Sequence, residues 1–402
     1  HPHKPQQPQQ PRQPRQPRQP RQPRQPRQPT PQTRPIFLIV PGLTGQSSSY
    51  YVQHAARHIV TAWPGARVAA YNPRGRGGNA LEQPFLYSAG FTEDLRYVLE
   101  HIAGEHIAGS DAQAKPPIYV VAFSLGANVV CKMLGEDGDA SLVDGACLCS
   151  PPIDLLSMSN YLENTWQGKL FDQILVRGCN KLFEQEPLLR DKMWSLGSGR
   201  NDQTRRRRRR MPQSMLELDD RLIAPMFGFS CASEYYRGAS CGPYLSRVRR
   251  PTLFVHARND PIVAGNLIRR DDFESGEAEH IVSVMTKEGG HSMDLNEGFG
   301  MAPWFPRLAT EFLMQLDKRN KADAEAEAEG WPPYCCAILQ DPSTGGFLLE
   351  QRPPSARVAP DQLTCFGGKR DLVRAEAPEA CLARELREEL GWAPATAPTR
   401  AV

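Results

Sequence analysis

The sequence predicts an α/β fold in which helices cover both faces of a mostly parallel sheet, and three observations indicate it. Short apolar segments that are typical of buried strands recur along the chain, beginning with 36–40. Pro41-Gly42 and Asn72-Pro73 end the first two of these segments, as turn residues do. Segments with helical spacing separate the strands, the first at 50–62. Apolar strands that alternate with helices form parallel sheets buried on both faces.

The predicted elements follow one another in a regular order. They are strands at 36–40 and 67–71 around a helix at 50–62, a strand at 118–122, a helix at 127–134, strands at 144–148, 252–257 and 281–286, and a closing amphipathic helix at 305–316. Residues 151–247 carry longer helical patterns and no clear strand. This segment is therefore predicted to be a helical cap inserted into the sheet domain.

Composition divides the chain into four parts. Residues 1–34 are almost entirely Pro, Gln and Arg, so they are predicted to form a disordered tail, with a polyproline ligand for a partner as the alternative. The α/β domain follows at 35–316, and the charged residues 317–330 are predicted to be a linker, helical or not. Residues 331–402 carry two short strands, a Gly-rich turn and one strong helix, which predicts a second, smaller α/β unit.

The positive charge of the chain is confined to two arginine-rich segments. Six Arg lie in the Pro-Arg-Gln repeat at 11–28 and six at 205–210, and without these twelve charges the formal net charge of +3 becomes −9. A folded surface that binds nucleic acid is basic, so no nucleic-acid partner is predicted. Residues 205–210 are predicted to be a solvated loop, with a contact to an anionic membrane surface or a nuclear-localisation role as the alternatives.

The cysteines and the lengths of the apolar runs indicate the cellular compartment in which the protein is expected. No apolar run approaches the roughly 18 residues of a transmembrane helix, so none is predicted. Several of the ten cysteines, such as Cys131 and Cys147, lie in apolar runs, which predicts reduced thiols and an intracellular protein, with membrane association as an alternative. The first residue is His1 rather than Met, so we expect an incomplete N-terminus, and a leader or anchor upstream is neither predicted nor excluded. The oligomeric state is not predicted.

A short serine motif marks a candidate nucleophile. Ala122-Phe-Ser-Leu-Gly126 lies between a predicted strand and a predicted helix. A serine at such a turn projects its hydroxyl above the carboxyl end of the sheet. Small residues on both sides suit the crowding there, although the usual pattern begins with Gly, so Ala122 is a mild departure. Ser124 is therefore the candidate nucleophile.

Two further loops supply the groups that a serine nucleophile needs. A hydroxyl attacks only when a base removes its proton, and His291 is the candidate base. Asp260 is the candidate acid that orients the imidazole. Each of these residues closely follows a predicted strand, and parallel strands end at one edge of a sheet, so Ser124, Asp260 and His291 are expected to meet there. Their chain order is one that serine triads use.

The loop after the first strand supplies a fourth element. Pro41-Gly-Leu-Thr-Gly45 can place the Leu43 N–H opposite the Leu125 N–H, and two such amides stabilise an oxyanion. Each of these residues alone is more often a turn, a cap or a surface residue. The prediction of an active site depends on the set: Ser124, Asp260 and His291 occur in the chain order of a serine triad, and each follows a predicted strand.

Six motifs extend this pattern beyond the triad itself. They are Val40-Pro-Gly-Leu-Thr-Gly45, Tyr71-Asn-Pro-Arg-Gly75, Phe123-Ser-Leu-Gly-Ala-Asn128, Met226-Phe-Gly-Phe229 with Glu234-Tyr-Tyr236, Asn259-Asp-Pro261 and Gly289-Gly-His291. Together they resemble one branch of the α/β-hydrolase superfamily, that of the plant embryogenesis-associated hydrolases and the bacterial YheT-like esterases. The resemblance covers roughly 36–316. It implies that Ser124 is the nucleophile, His291 the base, Asp260 its orienting acid, and Leu43 and Leu125 the oxyanion donors.

The same resemblance implies an activity. It points to a serine esterase or lipase that acts through an acyl-enzyme on lipid-like or medium-chain acyl esters, with acyl transfer to an alcohol as a variant. No cofactor is implied for this domain. The implied partner is a lipid-like ester substrate, and peripheral contact with a membrane is a further expectation.

A second motif lies near the end of the chain. Glu385, Glu388 and Glu389 are spaced so that a helix brings their carboxylates to one face. Crowded carboxylates repel one another unless a hard cation such as Mg²⁺ binds between them, and a solvated acidic face is the alternative. The segment 367–392 resembles the Nudix hydrolases. The resemblance implies ligation of Mg²⁺ (or Mn²⁺) by Glu385, Glu388 and Glu389, with support from Glu376 and Arg384.

This Nudix unit is expected to be partial. Gly368 stands two residues further from Glu376 than the family spacing, and about 70 residues remain from Trp331, roughly half of such a domain. We therefore expect it to be inactive by itself. Two alternatives to an ester hydrolase stay open: a Mg²⁺-dependent pyrophosphohydrolase of nucleoside-diphosphate-linked substrates, and a non-enzymatic scaffold built around the Arg/Pro tail.

Overall fold

A parallel sheet of six strands forms the centre of the computed structural model. The strands are β1 (Ile36–Val40), β2 (Arg67–Ala70), β3 (Ile118–Phe123), β4 (Gly145–Cys149), β5 (Thr252–Ala257) and β6 (Ile281–Thr286). They lie in the order β2-β1-β3-β4-β5-β6, and all neighbours are parallel. The predicted parallel sheet is confirmed, with strand ends within one residue of those expected.

The structure describes part of the chain. The described residues are 34–108, 115–196, 210–269, 273, 278–291 and 304–328, short strand segments between 334 and 369, and Cys381 and Arg384. The chain divides by its contacts into His1–Thr33 and Arg34–Val402, and all described residues lie in the second unit.

Helices cover the sheet and form the insertion between β4 and β5. They are α1 (Tyr50–Ala62), α2 (Glu93–Ala108), α3 (Ser124–Asp137), α4 (Leu155–Asn164), α5 (Trp166–Gln185), α6 (Pro187–Leu196), α7 (Met215–Leu218), α8 (Ala224–Met226), α9 (Ala232–Ala239) and α10 (Trp304–Ala328). A π-helical segment, Asp219–Ile223, joins α7 to α8.

Both faces of the four inner strands, β1, β3, β4 and β5, are buried because alternate residues of a strand point to opposite sides and both sets are mainly apolar. In β1, Phe37 and Ile39 pack against α1 and α10, whereas Leu38 and Val40 pack against α2 and α3. Buried residues of α4 to α9 form a third apolar cluster with residues such as Leu86. The sheet is therefore the middle layer, and the insertion has a core of its own.

The closing helix runs beyond the end that its apolar spacing predicts. α10 continues to Ala328 through the charged segment that was expected to be a linker. Asp317, at the start of that segment, is buried and accepts a hydrogen bond from the Tyr119 hydroxyl at 3.1 Å. Lys321 Nζ lies 2.7 Å from the same carboxylate. These contacts tie the charged part of the helix to the sheet.

The last part of the chain contributes three short antiparallel pairs. β8 (Leu339–Gln340) pairs with β9 (Phe347–Leu348) on either side of the expected Gly-rich turn. The other pairs are β7 (Tyr334–Ala337) with β12 (Phe366–Lys369) and β10 (Glu350–Gln351) with β11 (Leu363–Thr364).

Hydrogen bonds join the two ends of the insertion to each other. Gly242 N donates to Ile153 O at 3.0 Å, and Leu155 N donates to Ser240 Oγ at 3.0 Å. The insertion therefore leaves and re-enters the sheet domain at one place.

The buried Asn128 side chain of α3 links the base of the insertion to the sheet domain by hydrogen bonds. Its Nδ2 donates to Ala89 O and to Ala239 O, each at 2.9 Å, and its Oδ1 accepts from Cys241 N at 3.0 Å. One fully buried amide thus pairs three backbone groups that would otherwise be buried without partners.

We expect Asn128→Leu to lower the free energy of unfolding by about 3 kcal/mol, because Leu has a similar volume but leaves three backbone groups unpaired. Asn164→Leu, which removes one exposed side-chain hydrogen bond to Asn160 O, should change it by less than about 0.5 kcal/mol. Urea unfolding of both variants measures the difference. Equal effects would contradict the role given to Asn128.

Candidate active site

Ser124 lies at the turn between β3 and α3. Phe123 is the last residue of the strand and Ser124 is the first residue of the helix, so the chain reverses within two residues. Ser124 has φ of +50°, a left-handed conformation that is uncommon for a residue with a side chain. Such strain is typical of a residue that the surrounding structure holds in place. The turn presents the Ser124 hydroxyl above the carboxyl end of the sheet.

Close packing explains the small residues around this turn. A Cβ atom at Gly126 would lie 2.2 Å from Pro41 O, and one at Gly42 would lie 3.0 Å from Ser124 Cβ. The loop after β1 and the turn after β3 therefore approach each other as backbone against backbone. Only glycine at position 126 permits this approach.

Ser124, His291 and Asp260 lie together in one hydrogen-bonded chain. His291 Nε2 lies 2.8 Å from Ser124 Oγ, and His291 Nδ1 lies 2.8 Å from Asp260 Oδ2 and 3.1 Å from Oδ1. With Nδ1 protonated toward the carboxylate, Nε2 is free to accept the serine proton. The arrangement places a hydroxyl, a base and an orienting carboxylate in the order that proton removal requires.

The Asp260 carboxylate is buried and accepts hydrogen bonds from backbone N–H groups as well as from His291. The residue is 3% exposed, and its Oδ1 accepts from Ile262 N at 2.8 Å and from Val263 N at 2.9 Å. Asn259 Oδ1 accepts from Gly290 N at 2.9 Å, so the Asp260 loop holds the His291 loop directly. Donors to the charged form compensate for the loss of water around a buried carboxylate.

Leu43 and Leu125 flank the Ser124 turn. Leu125 is in the first turn of α3, where the amide has no partner within the helix. The amides on either side of Leu43 are occupied: Gly42 N donates to the Tyr51 hydroxyl at 3.0 Å and Thr44 N to the Tyr87 hydroxyl at 2.8 Å. Among the described residues, the Leu43 N–H makes no hydrogen bond. The two amides are thus available at this edge of the sheet.

Tyr51 and Tyr87 contact this site although no sequence pattern predicts it, and Asn259 is predicted only as part of the Asn259-Asp-Pro261 motif. Tyr87 is 43 residues from Thr44, and nothing in the local pattern of either segment signals their contact. Asn259 precedes Asp260, so its role was open to prediction from the Asn-Asp-Pro turn, where such side chains bond to nearby backbone.

A cavity lies between the site and the insertion. Leu43 and Leu125 line it on the side of Ser124. The rest of the lining comes from residues 86–89, from α4, α5, α7 and α9, and from the π-helical segment. Most of the lining is apolar, but the carboxyl groups of Asp172 and Asp219 also border it. Burial raises the pKa of Asp219 to about 7, and burial also raises the pKa of Asp172. The cavity suits an apolar group with limited polar character.

Most of the residues predicted for a Nudix motif fall outside the described part of the chain. Glu376, Glu385, Glu388 and Glu389 are not among the described residues, so their predicted metal ligation stays a prediction. Arg384 is helical and half-buried, with Nη2 3.7 Å from Cys381 Sγ. Within the residues that the structure does describe, no group of three or more His, Cys, Asp or Glu side chains is placed to hold a metal ion.

Comparison with known proteins finds a matching family model and individual relatives of similar sequence. The family model described as serine aminopeptidase, S33 matches residues 31–293. The embryogenesis-associated protein EMB8 of Picea glauca is 30% identical over 72% of this chain and 60% of its own length. Monoacylglycerol lipase of Saccharomyces cerevisiae is 28% identical over 70% of this chain and 59% of its own. The chain thus spans about 60% of the length of these two relatives.

Among solved structures, an archaeal esterase has a similar fold. The Pyrococcus furiosus esterase Pf2001 has a TM-score of 0.43 and 14% identity, over 72% of this chain and 83% of the esterase chain. No helix in the described ranges combines the length and the apolar character that crossing a membrane requires.

We expect Gly126→Ala to lower the free energy of unfolding by about 3 kcal/mol, because the added methyl group must push Pro41 away from the turn. Gly104→Ala is the matched control: its methyl group meets no atom within 4 Å, and Ala at a helical position should raise stability by up to about 1 kcal/mol. Thermal or urea unfolding shows whether the two substitutions have opposite signs, and a shared sign would contradict the close approach.

Proposed function

The chain belongs to the serine aminopeptidase S33 family of the α/β-hydrolase superfamily, and on this basis we propose that it is a serine hydrolase of carboxylic esters, of the esterase or lipase type. The observation that carries the proposal is the continuous hydrogen-bonded chain from Asp260 through His291 to Ser124 Oγ. The amides of Leu43 and Leu125, which have no hydrogen-bond partner among the described residues, flank the serine. These are the parts that an acyl-transfer reaction needs.

The proposed reaction proceeds in two steps. Ser124 Oγ attacks the ester carbonyl carbon while its proton passes to His291 Nε2, and the carbonyl oxygen becomes an oxyanion that the Leu43 and Leu125 N–H groups stabilise. The bond to the alcohol breaks, and the leaving alcohol takes the proton from His291. Water then attacks the acyl-serine with the same imidazole as base, which releases the acid and restores the Ser124 hydroxyl. In the transferase variant an alcohol takes the place of water.

The cavity supports an acyl ester as substrate. Its lining beside Leu43 and Leu125 is mainly Leu, Met, Ile and Phe side chains, which gain free energy by covering an alkyl chain. The relatives include a protein named monoacylglycerol lipase, which agrees with a lipid-like or medium-chain acyl group. No cofactor enters the proposed reaction.

The predicted metal ligands of the Nudix alternative lie outside the described residues. Hydrolysis of nucleoside-diphosphate-linked substrates with Mg²⁺ or Mn²⁺ stays a prediction from the spacing of Glu385, Glu388 and Glu389. The family match ends at 293 and leaves that segment outside.

We also propose peripheral contact with an anionic lipid surface, through the outer face of α5. Trp166, Leu170 and Ile174 follow one another at intervals of four residues and are 77%, 54% and 53% exposed. Arg177 and Lys181 continue the same face and are exposed. An apolar stripe with adjacent basic residues binds the boundary between lipid headgroups and acyl chains. The opposite face of α5 lines the cavity, so this contact would bring the cavity close to its substrates.

Ser124→Ala should reduce hydrolysis of a short p-nitrophenyl ester by about 10⁴-fold or more and abolish labelling by a fluorophosphonate probe, because no other group replaces the nucleophile. Ser195→Ala, on an exposed turn of α6, is the matched control and should retain both. Rates and probe labelling of the purified chain give the answer. Esterase activity that survives in Ser124→Ala would overturn the proposal.

Replacement of Trp166, Leu170 and Ile174 by Ser together should weaken binding to vesicles of phosphatidylcholine and phosphatidylserine by about tenfold or more, because the apolar stripe is lost. Val60→Ser with Tyr97→Ser, which removes exposed apolar groups of α1 and α2, is the control and should bind as the unmodified chain does. Sedimentation with vesicles measures both. Equal binding by the triple variant, or no binding by the unmodified chain, would contradict the membrane contact.

A further inference from the structure

The outer strand β6 has an edge without the features that usually protect the edge of a sheet. Edge strands pair with other chains unless charges, prolines, bulges or a covering segment prevent it. The six residues of β6, Ile-Val-Ser-Val-Met-Thr, include no charge, proline or glycine. β6 is the last strand in the sheet order, and no described strand pairs with its outer side. This edge can therefore accept a further strand.

The hydrogen bonds between β5 and β6 show which backbone groups point to the free edge. His280 O and Thr286 O accept from N–H groups at the start of β5 and just beyond its end, at 2.8 Å and 2.9 Å. Backbone groups of consecutive residues in a strand point to opposite sides, so the even-numbered residues face β5. The backbone groups of Ile281, Ser283 and Met285 therefore face outward.

The side chains of β6 leave apolar surface beside this edge. Val282 is 53% exposed, whereas Val284 on the same face is half-buried against the apolar cluster that α10 completes. On the other face, Ile281 and Met285 line an open groove together with Ile268. Facing β-branched side chains stabilise a strand pair, so a second strand at this edge would cover Val282 favourably.

The charges that flank β6 identify the partner as a second copy of the chain. Glu279 and Lys287 are exposed, and neither forms an ion pair within the part of the chain that the structure describes. Ser283 lies midway between them, so antiparallel pairing of two copies centred on Ser283 sets each Glu279 opposite the Lys287 of the other copy. Opposite charges at facing positions stabilise such a pair. The other outer strand, β2, offers no such match, because it carries Arg67 and no acid.

We propose that the chain forms a two-fold symmetric dimer through β6, in which the two strands pair antiparallel and the two sheets become one. Ser283 N of each copy donates to Ser283 O of the other. Met285 N donates to Ile281 O across the interface, and Val284 of each copy covers Val282 of the other. The proposal goes beyond ester hydrolysis and does not depend on it.

Reversal of the flanking charges tests the pairing. Lys287→Glu and Glu279→Lys each bring like charges together at both ends of the interface, so each should raise the dimer dissociation constant about tenfold or more. The double variant restores opposite charges and should dimerise as the unmodified chain does. An equimolar mixture of the two single variants should form a heterodimer, because every acid then faces a base.

Ser283→Pro tests the backbone hydrogen bonds at the centre of the interface. Proline removes an outward N–H and leaves the bonds of β6 to β5 in place, since those use the neighbouring residues. The dissociation constant should rise about 30-fold or more, through the loss of the two central hydrogen bonds. Ser283→Thr keeps the N–H and is the matched control, which should dimerise as the unmodified chain does.

Sedimentation equilibrium of the full chain over a series of concentrations measures these constants without any substrate, and thermal unfolding shows that each variant folds. The charge variants do not depend on the folding of the proline variant. An unmodified chain that stays monomeric overturns the dimer, whether the edge is bare or covered by another segment. So does a dimer that Ser283→Pro and both charge reversals leave unchanged. Single variants that weaken the dimer but form no heterodimer when mixed would overturn the facing of Glu279 and Lys287.

Discussion

Parallel pairing of the six strands is the constraint on which the site depends. Register brings Val40 of β1 beside Ala122 of β3, and Ala257 of β5 beside Thr286 of β6, so these strands end at one edge. Loops that follow different strands then meet within hydrogen-bond distance even though they are far apart in sequence: His291 and Ser124 are separated by 167 residues. A sheet with antiparallel strands would send half of these loops to the opposite edge.

Local sequence signals were sufficient where the relevant physics is local. Apolar runs with turn residues after them predict all six strands, and the order of the strands predicts that Ser124, Asp260 and His291 lie near one another. The same reasoning did not find α2, although Leu95, Leu99 and Ala103 recur at intervals of four residues and are buried. It also ended α10 too early, because charged residues such as Asp317 do not signal that a tyrosine of the sheet holds them.

Contacts between distant segments could not be derived in this way. Tyr87 accepts from Thr44, Asn128 joins Ala89 to Ala239, and Tyr236 donates to Asp219. Each contact joins segments that only the completed packing of the fold brings together. The raised pKa of Asp219 has the same origin, since burial in the completed fold is its largest cause and the nearby charge of Asp172 adds to it. Periodicity reports which face of an element is apolar, but not which polar group on another element it meets.

The hydrogen bond between Ile153 O and Gly242 N gives the insertion two adjacent ends. Because the closing cost of a loop rises only slowly with its length, a segment joined at such a narrow base can be lengthened, shortened or exchanged with little effect on the pairing of β4 with β5. The sheet domain and the insertion can therefore vary separately in evolution. A chain with the same strand edge can carry a different segment above it, and so a different cavity wall, while the loops that hold Ser124, Asp260 and His291 keep their geometry.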